Sequence, residues 1–391
     1  MIHELQNIVA CRSTEVRKVS DFIFNNPELG LQEFKACGIV AEFLRSNGFQ
    51  TTTGTGGLDT SIKAWFINNP RPDTPAVCII AEYDALQGFG HGCGHNLITA
   101  ATLAAALATA EYAVKHNLSL RLCVMGTPGE ESFGGKVTMI KNGVFDDIDM
   151  AIMSHPSSQI LPEVGALGVA RAIISFHGKA SHAGAAPEEG INALDALHYF
   201  YADMLEWKKT IDPRERVHGI FTNGGNAPNI IPDYTEASFY VRSPEVSGLQ
   251  KLCSLLENSA RTGAAKTGCS YEVKWMIPYM PIKSNSALNR RYLDIWHAMD
   301  IPVPETSTLE SCGSTDMGDV TQILPGAHFH FNATGGVPCS LHSEEFRKMA
   351  GSDTGFAGAM QTAPVLAKLL LDYTLDSGFR EHVNKDFSKT I

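Results

Sequence analysis

Short apolar runs separated by helical patterns make up the first part of the chain. Residues 76–81 are continuously apolar, and residues 118–126 and 150–155 repeat the pattern. Continuous runs of this length are typical of strands covered on both faces of a sheet. A long alanine-rich helical pattern opens near Leu97, between the first two runs. Strands alternating with helices predict an open α/β sheet.

Helical periodicity marks both ends of the chain. An amphipathic pattern covers the N-terminal residues to about Phe24, and a second one covers residues 32–47. Towards the C-terminus, the pattern predicts a helix over 287–299, a strand over 327–331 and a final helix over 360–373. The alternation of helix and strand therefore resumes after the middle segment.

The middle segment has a different pattern, beginning at about Val169. Six elements follow in the order β-α-β-β-α-β, at residues 172–177, 192–207, 218–223, 235–242, 249–267 and 270–276. This is the order of a ferredoxin-like unit. We therefore predict two domains, a catalytic domain of residues 1–169 plus 281–391 and an inserted domain of residues 170–280. A chain of 391 residues also exceeds the usual size of a single core.

The charge balance bears on the class of partner. The formal net charge is −11 at pH 7, whereas nucleic acids and anionic membranes bind basic surfaces. The most apolar stretch, residues 98–107, is short and is followed closely by Glu111, which favours a buried helix over a membrane span. We expect a small-molecule substrate, with neither nucleic acid nor membrane as a partner.

The cysteines bear on the cellular compartment. There are nine, an odd number at scattered positions, unlike the dense framework of a disulfide-rich secreted domain. The N-terminus lacks the basic segment, apolar run and cleavage site of a secretion signal. We expect a cytoplasmic protein.

Residue types that bind metals follow the first apolar run. Residues 91–95 read His-Gly-Cys-Gly-His, so a turning backbone can direct the thiolate of Cys93 and the imidazole of His95 at one ion. Ligand types also occur after the other two apolar runs and near the C-terminus, at Glu130, Glu131, His155 and His342. Ligands of open α/β sheets bind at the carboxyl ends of strands. The pattern predicts a metal-dependent hydrolase.

Two adjacent glutamates suit the chemistry of amide hydrolysis. One of Glu130 and Glu131 can hold a metal, while the other takes a proton from a water and passes it to a leaving amine. An isolated pair of this kind more often caps a segment or lies in solvent, and His155 or His342 alone is more often structural. The flanking glycines and the neighbouring ligand types favour the metal site.

Four segments together resemble one enzyme family. They read Glu-Tyr-Asp-Ala-Leu at 82–86, His-Gly-Cys-Gly-His-Asn at 91–96, Gly-Thr-Pro-Gly-Glu-Glu at 126–131 and Gly-Lys-Ala-Ser-His-Ala at 178–183. In this order they resemble the aminoacylase and glutamate carboxypeptidase family of dinuclear metallopeptidases, over nearly the whole chain. The chain is most similar to the amidohydrolase branch that includes β-alanyl-lysine dipeptidase and aminobenzoyl-glutamate hydrolase. The resemblance implies a mixed-sheet α/β/α catalytic domain with an inserted ferredoxin-like α+β lid and dimerisation domain.

The resemblance also implies a metal centre. Cys93 would bridge two divalent ions, and the other ligands would be His95, Glu131, His155 and His342. Thiolate and imidazole favour zinc, and carboxylates also admit manganese, cobalt or nickel. Asp84 could ligate as well, or hold the second ring nitrogen of a ligating histidine, and we favour the latter.

The remaining matches imply catalytic and substrate-binding roles. Glu130 would be the general base, and His182 would stabilise the oxyanion in the active site of the neighbouring subunit of a homodimer. Asn229 and Arg242 would hold the substrate carboxylate, a task that suits an arginine fork. Without the resemblance, Asn229 could equally cap a turn and Arg242 could pair with Glu245.

Departures from the family leave the substrate open. Asn96 stands where many relatives carry Asp, as in the two members named above, and Ser132 and Phe133 replace a glycine-rich pair. The prediction is a hydrolase that cleaves an N-acyl amino acid or dipeptide-like substrate with a free carboxylate. Amide synthesis at the same site is an alternative, and so is a catalytically silent binding module. The intact set of ligands and base argues against the silent module.

Overall fold

The chain folds into two compact units. The computed structural model describes residues 1–163, 165–301, 303 and 313–389. The first unit comprises Met1–Gly165, Lys283–Ser311 and Asp316–Ile391, and the second comprises Ala166–Ile282 and Cys312–Thr315. The second unit is therefore inserted between two parts of the first.

The described residues form the following elements. The strands are β1 (Gln50–Thr53), β2 (Ile62–Asn68), β3 (Ala76–Ala81), β4 (Leu120–Gly126), β5 (Met150–Ser157), β6 (Gly168–His177), β7 (Ser181–His182), β8 (Arg216–Asn223), β9 (Ile230–Ile231), β10 (Tyr234–Ser243), β11 (Ser270–Trp275) and β12 (Gly326–Asn332). The helices are α1 (Ile2–Asn25), α2 (Phe34–Ser46), α3 (His95–Lys115), α4 (Gly135–Lys141), α5 (Ala193–Lys208), α6 (Val246–Thr267), α7 (Ser286–His297), α8 (Met317–Ile323), α9 (Glu344–Ala350), α10 (Asp353–Leu375) and α11 (Ser377–Lys389).

A six-stranded sheet organises the first unit, in the order β1-β2-β4-β3-β5-β12. Strands β4, β3, β5 and β12 are parallel, whereas β2 is antiparallel to both β1 and β4. The carboxyl ends of the parallel strands therefore share one edge. The predicted α/β class and its mixed sheet are confirmed.

Helices cover both faces of this sheet. Alternate residues of β3 enter different cores: Val77 and Ile79 pack with α1, α3 and α10, whereas Cys78 and Ile80 pack with α4 and α8. This division explains why the strand is apolar without alternation. Helix α3 is long and apolar enough to cross a membrane, and 89% of its most apolar window is buried inside the protein, as expected for a core helix.

The second unit is a four-stranded antiparallel sheet in the order β11-β6-β10-β8, with helices α5 and α6. Leu197 and Phe200 of α5 and Leu252 and Leu256 of α6 share one core with inward residues of the sheet. The strand order is that of a ferredoxin-like unit, which confirms the predicted fold of the insert. A separate pairing of β7 with β9 stands outside this sheet.

The structure adds elements that the hydrophobic pattern does not predict. Strand β1 reads Gln-Thr-Thr-Thr and is largely exposed, so it carries no apolar signal. The predicted last helix, at 360–373, is not the last: α11 follows it and buries only Phe379 and Val383 among its hydrophobic residues. Sparse apolar positions of this kind are a weak periodic signal.

Candidate metal centre

The turn between β3 and α3 builds the first group of candidate ligands. His95 is the first residue of α3, and Cys93 lies two residues before it. Gly94 has φ +77°, and a Cβ on it would lie 2.8 Å from Cγ of Pro156, so glycine is needed for this close approach. Sγ of Cys93 consequently lies 3.4 Å from Nε2 of His155. Ligand atoms of Cys93, His95 and His155 lie within 4.8 Å of one another.

A second group shares Cys93 and adds residues from two other segments. Glu131 follows β4, and His342 lies between β12 and α9. Nε2 of His342 is 3.3 Å from Oε1 of Glu131, and ligand atoms of both lie within 4.8 Å of Cys93. The same limit joins His95, Glu130 and Glu131. The structure thus brings together all five predicted ligands and the predicted base, with Cys93 common to two groups.

The residues at this centre fit divalent metal ions. Among the described residues, buried Nε2 of His95 and Oε1 of Glu131 have no hydrogen-bond partner, although they lie 3.7 Å apart. Buried polar atoms normally have a partner, and an ion held by both would provide it. The thiol, imidazole and carboxylate donors are those of zinc and related ions.

Asp84 fixes two of the candidate ligands. Its Oδ1 lies 2.9 Å from Nδ1 of His95, and its Oδ2 accepts a hydrogen bond of 3.0 Å from the main-chain N–H of Glu131. The contact with Nδ1 leaves Nε2 of His95 for a metal. Nδ1 of His155 is likewise 2.8 Å from the carbonyl oxygen of Pro156. Asp84 is therefore arranged as a residue that orients a ligand.

Burial sets the protonation of the groups at the centre. It lowers the pKa of His155 to about 4, with the charge of His95 adding to the effect, so the imidazole is in the neutral form that binds metals. Burial raises the pKa of the Glu130 carboxyl well above its usual range, and the charges of Glu82 and Glu131 add to the shift. Burial also raises the pKa of the Cys93 thiol, which a bound cation would reverse.

A buried lysine adjoins the centre, and the sequence patterns do not reveal it. Nζ of Lys136, in the first turn of α4, lies 2.5 Å from Oε1 of Glu82 and 2.6 Å from Oδ1 of Asp316. All three side chains are buried. The other Glu82 oxygen lies 3.6 Å from Nε2 of His95. The only sequence signal is the acidic end of β3, where Glu82 precedes Asp84 by two residues.

Lys136→Met is expected to lower the free energy of unfolding by about 3–5 kcal/mol, because it leaves two buried carboxylates without their cation. Chemical denaturation would measure the change. Lys141→Met is the matched control, since Lys141 is exposed on the same helix and its loss should change stability little. Equal stability of the two variants would show that the buried ion pairs contribute nothing.

Two further histidines line up beside His155, and they are also absent from the predicted site. His330 of β12 is paired in register with His155. The ring centroids of His328 and His330 lie 5.6 and 6.1 Å from that of His155. The alternation His-Phe-His-Phe at 328–331 places both imidazoles on one face of the strand, a signal that period-two reading could have used.

In the second unit, the pairing of β7 with β9 brings His182 close to Asn229. His182 is in register with Ile230, and the main-chain N–H of Ala183 donates to the carbonyl oxygen of Asn229 at 3.0 Å. Nδ1 of His182 accepts from the N–H groups of Gly184 and Ala185 at 3.2 and 3.1 Å. A nitrogen that accepts two hydrogen bonds carries no proton, so the proton of the neutral ring is on Nε2.

Arg242 lies on β10, in a different part of the second unit's fold from β9. One guanidinium nitrogen donates to Oγ of Ser314 at 2.7 Å, and the guanidinium carbon lies 5.8 Å from the ring centroid of Tyr240. Glu245, the partner in the alternative interpretation, instead lies 3.5 Å from Arg214.

Sequence comparisons identify relatives of the chain. A peptidase dimerisation domain matches residues 164–267. The Xaa-Arg dipeptidase of Mus musculus is 34% identical over 383 residues, covering 94% of this chain and 88% of that protein. A p-aminobenzoyl-glutamate hydrolase polypeptide of Escherichia coli is 30% identical, covering 94% of this chain and 91% of that protein.

Solved structures show the same fold. A putative aminohydrolase from methicillin-resistant Staphylococcus aureus has a TM-score of 0.82 at 20% identity, covering 96% of this chain and all of that chain. A dinuclear metal binding peptidase from the M20 family of Bacillus subtilis has a TM-score of 0.69 at 18% identity, covering 93% and 99%.

Proposed function

The chain belongs to the M20 family of metallopeptidases and is an amidohydrolase of the dipeptidase type, and we propose that it cleaves dipeptides with a basic C-terminal residue. The observation that carries this proposal is the pair of ligand groups that share Cys93, with Glu130 beside them. The preference for a basic residue draws on the Xaa-Arg dipeptidases of mouse and human. A net charge of −11 also favours a cationic substrate.

We propose that two divalent ions share Cys93, with one held also by His95 and His155 and the other by Glu131 and His342. Bound there, the ions would polarise the amide carbonyl and lower the pKa of a water molecule. The contacts of Asp84 and of the Pro156 carbonyl with Nδ1 keep Nε2 of both histidines directed at the centre. We propose zinc as the metal, because thiolate and imidazole donors favour it.

Glu130 is proposed as the general base. One of its oxygens lies within 4.8 Å of ligand atoms of both His95 and Glu131, so it can reach a water held at the centre. Its carboxylate takes the proton of the attacking water and then delivers a proton to the nitrogen of the leaving amino acid. Glu131 remains ionised as a ligand, which separates the tasks of the two adjacent glutamates.

His182 and Asn229 are proposed to act together on the substrate of a neighbouring subunit. The two N–H groups that donate to Nδ1 of His182 fix its ring and place the proton on Nε2. That N–H can donate to the oxyanion that develops at the carbonyl. Asn229 adjoins it through β9 and would bind the substrate carboxylate, with Arg242 as the second contact.

We propose that the second unit forms a homodimer through β8 and α5. Strand β8 is an edge strand, on which Ile220 and Phe221 are 67% and 46% exposed. Tyr201 of α5 packs against Phe221 and is itself partly exposed, as is Leu205 one turn further along. Exposed apolar edges of this kind are normally covered. The match to a peptidase dimerisation domain supports a second copy as the cover.

We propose a cytoplasmic location, with neither nucleic acid nor membrane as a partner. Eight of the nine cysteines lie in the described part of the chain and all eight are free thiols, which supports a reducing compartment. Cys312 lies outside the described residues. The excess of acidic residues supports the exclusion of polyanionic partners.

Metal analysis combined with a substrate panel tests the proposed function. We expect about two zinc ions per chain and hydrolysis of dipeptides ending in Arg or Lys in preference to those ending in Glu, N-acetyl amino acids and aminobenzoyl-glutamate. Chelation should abolish cleavage and zinc should restore it, because the ligands alone cannot activate water. Cleavage that survives complete metal removal would refute the mechanism, and preference for an acidic leaving residue would refute the substrate class.

A further inference from the structure

Three buried carboxylates hold the main chain of the segment that carries Glu130. Oε1 of Glu33 accepts from the N–H of Gly129 at 2.8 Å, and Asp84 accepts from Glu131 at 3.0 Å. Oδ2 of Asp316 accepts from the N–H of Lys136 at 3.0 Å. The three acceptors come from three separate segments of the first unit and are almost fully buried. Residues 129–136 are therefore fixed at three points.

Glu33 differs from the other two acceptors in its surroundings. Asp84 also contacts His95, and Asp316 also pairs with Lys136. The hydrogen-bond donors to the Glu33 carboxylate are neutral: the N–H of Gly129 at Oε1, and the hydroxyl of Thr60 at Oε2, at 2.7 Å. Burial raises the pKa of this carboxyl to about 7. A buried acid without a cation is unfavourable for folding, so its presence calls for a role.

The segment before Glu33 also packs tightly on the Glu130 segment. A Cβ added to Gly30 would lie 2.8 Å from Cα of Gly129, so the two main chains touch. Gly129 itself has φ +69° and directly precedes Glu130. The direction of the Glu130 side chain therefore depends on how Gly129 is held, because the conformation of one residue sets the course of the next.

We propose that Glu33 is a positioning residue for catalysis, which acts by holding the N–H of Gly129 and thereby the carboxylate of Glu130. This inference rests on the proposed role of Glu130 as the base. Glu33 contacts Gly129 and Thr60 and does not belong to either ligand group. Its loss should therefore leave the metal content intact and act on kcat. A displacement of a catalytic group by about 1 Å can lower turnover by about 10²-fold.

Glu33→Ala and Glu33→Gln, with Glu28→Ala as the control, test this role. Glu28 accepts from the N–H groups of Lys35 and Ala36 at the start of the same helix, α2, so its loss removes hydrogen bonds of the same kind without touching Gly129. We expect Glu33→Ala to lower kcat by about 10- to 100-fold, with KM nearly unchanged and the metals retained. Glu33→Gln keeps an acceptor oxygen and should stay within a few-fold of the original kcat.

Each other outcome overturns the inference. If Glu33→Ala and Glu28→Ala lower the melting temperature alike and leave kcat unchanged, Glu33 is only structural. If Glu33→Gln loses as much kcat as Glu33→Ala, the acceptor role is wrong. Should Glu33→Ala fail to fold, Thr60→Val removes one donor to the carboxylate and should still lower kcat several-fold, and an unchanged kcat would count against the proposal.

A parallel assay of Glu130→Gln separates this inference from the proposed function. If Glu130→Gln is inactive while Glu33→Ala is normal, only the positioning role fails. If Glu130→Gln keeps full turnover, the proposed base is wrong whatever the effect of Glu33.

Discussion

Replacing Glu130 with glutamine is expected to lower kcat by about 10²- to 10⁴-fold while both metal ions stay bound. Glutamine preserves the size and polarity of the side chain but cannot accept the proton of the attacking water. The two ligand groups that share Cys93 do not include Glu130, so the metal content should not change. Steady-state kinetics and elemental analysis of the same preparation would measure both quantities.

Glu131→Gln is the matched control, since the two glutamates are adjacent and carry the same functional group. Oε1 of Glu131 lies 3.3 Å from Nε2 of His342 and 3.7 Å from Nε2 of His95, at the centre of the ligand cluster. This variant should lose metal as well as activity. If Glu130→Gln lost its metals and Glu131→Gln retained them, the two roles would have to be exchanged.

His182→Ala should lower kcat by about 10²- to 10³-fold, the usual effect of removing one donor to an oxyanion. The metal content should stay the same, because His182 belongs to the second unit and the ligands to the first. His177→Ala is a suitable control, since His177 is also an exposed histidine of the second unit and lies at the end of β6. A similar loss in both variants would indicate a general disturbance of the insert.

Mixed dimers would show whether His182 acts across subunits. If the two inactive variants, Glu130→Gln and His182→Ala, exchange subunits at random in equal amounts, half of the dimers are mixed. Each mixed dimer restores one of its two sites, so about a quarter of the original activity should return. Absence of any recovery, with subunit exchange demonstrated, would place His182 in the active site of its own chain or outside catalysis.

The elements that bear the ligands were predictable because their signals are local. Strand β3 lies at 76–81 as predicted, since a strand buried on both faces must be apolar along its whole length. The metal-binding character of Cys93 and His95 depends on residue type and a spacing of two. Their convergence with Glu131 and His155 follows from the rule that parallel strands present their carboxyl ends at one edge.

The supports of these ligands were not predictable in the same way. Lys136 and Asp316 are 180 residues apart in sequence, and no periodicity links them. Glu33 precedes a helix, where an acidic residue ordinarily suggests a cap, and only the fold shows that its carboxylate holds Gly129. The exposed strand β1 and the sparsely apolar helix α11 were missed because they bury too little to leave a pattern.

The sequence by itself determined the α/β class, the ferredoxin-like insert and the chemical types of the ligands, because strand burial, element order and donor chemistry are encoded in short segments. Only the tertiary structure decided which carboxylates fix the Glu130 segment, that Lys136 is buried between Glu82 and Asp316, and that Asp84 orients His95. Such contacts depend on side chains from distant segments meeting within about 3 Å, a distance set by the packing of the whole unit.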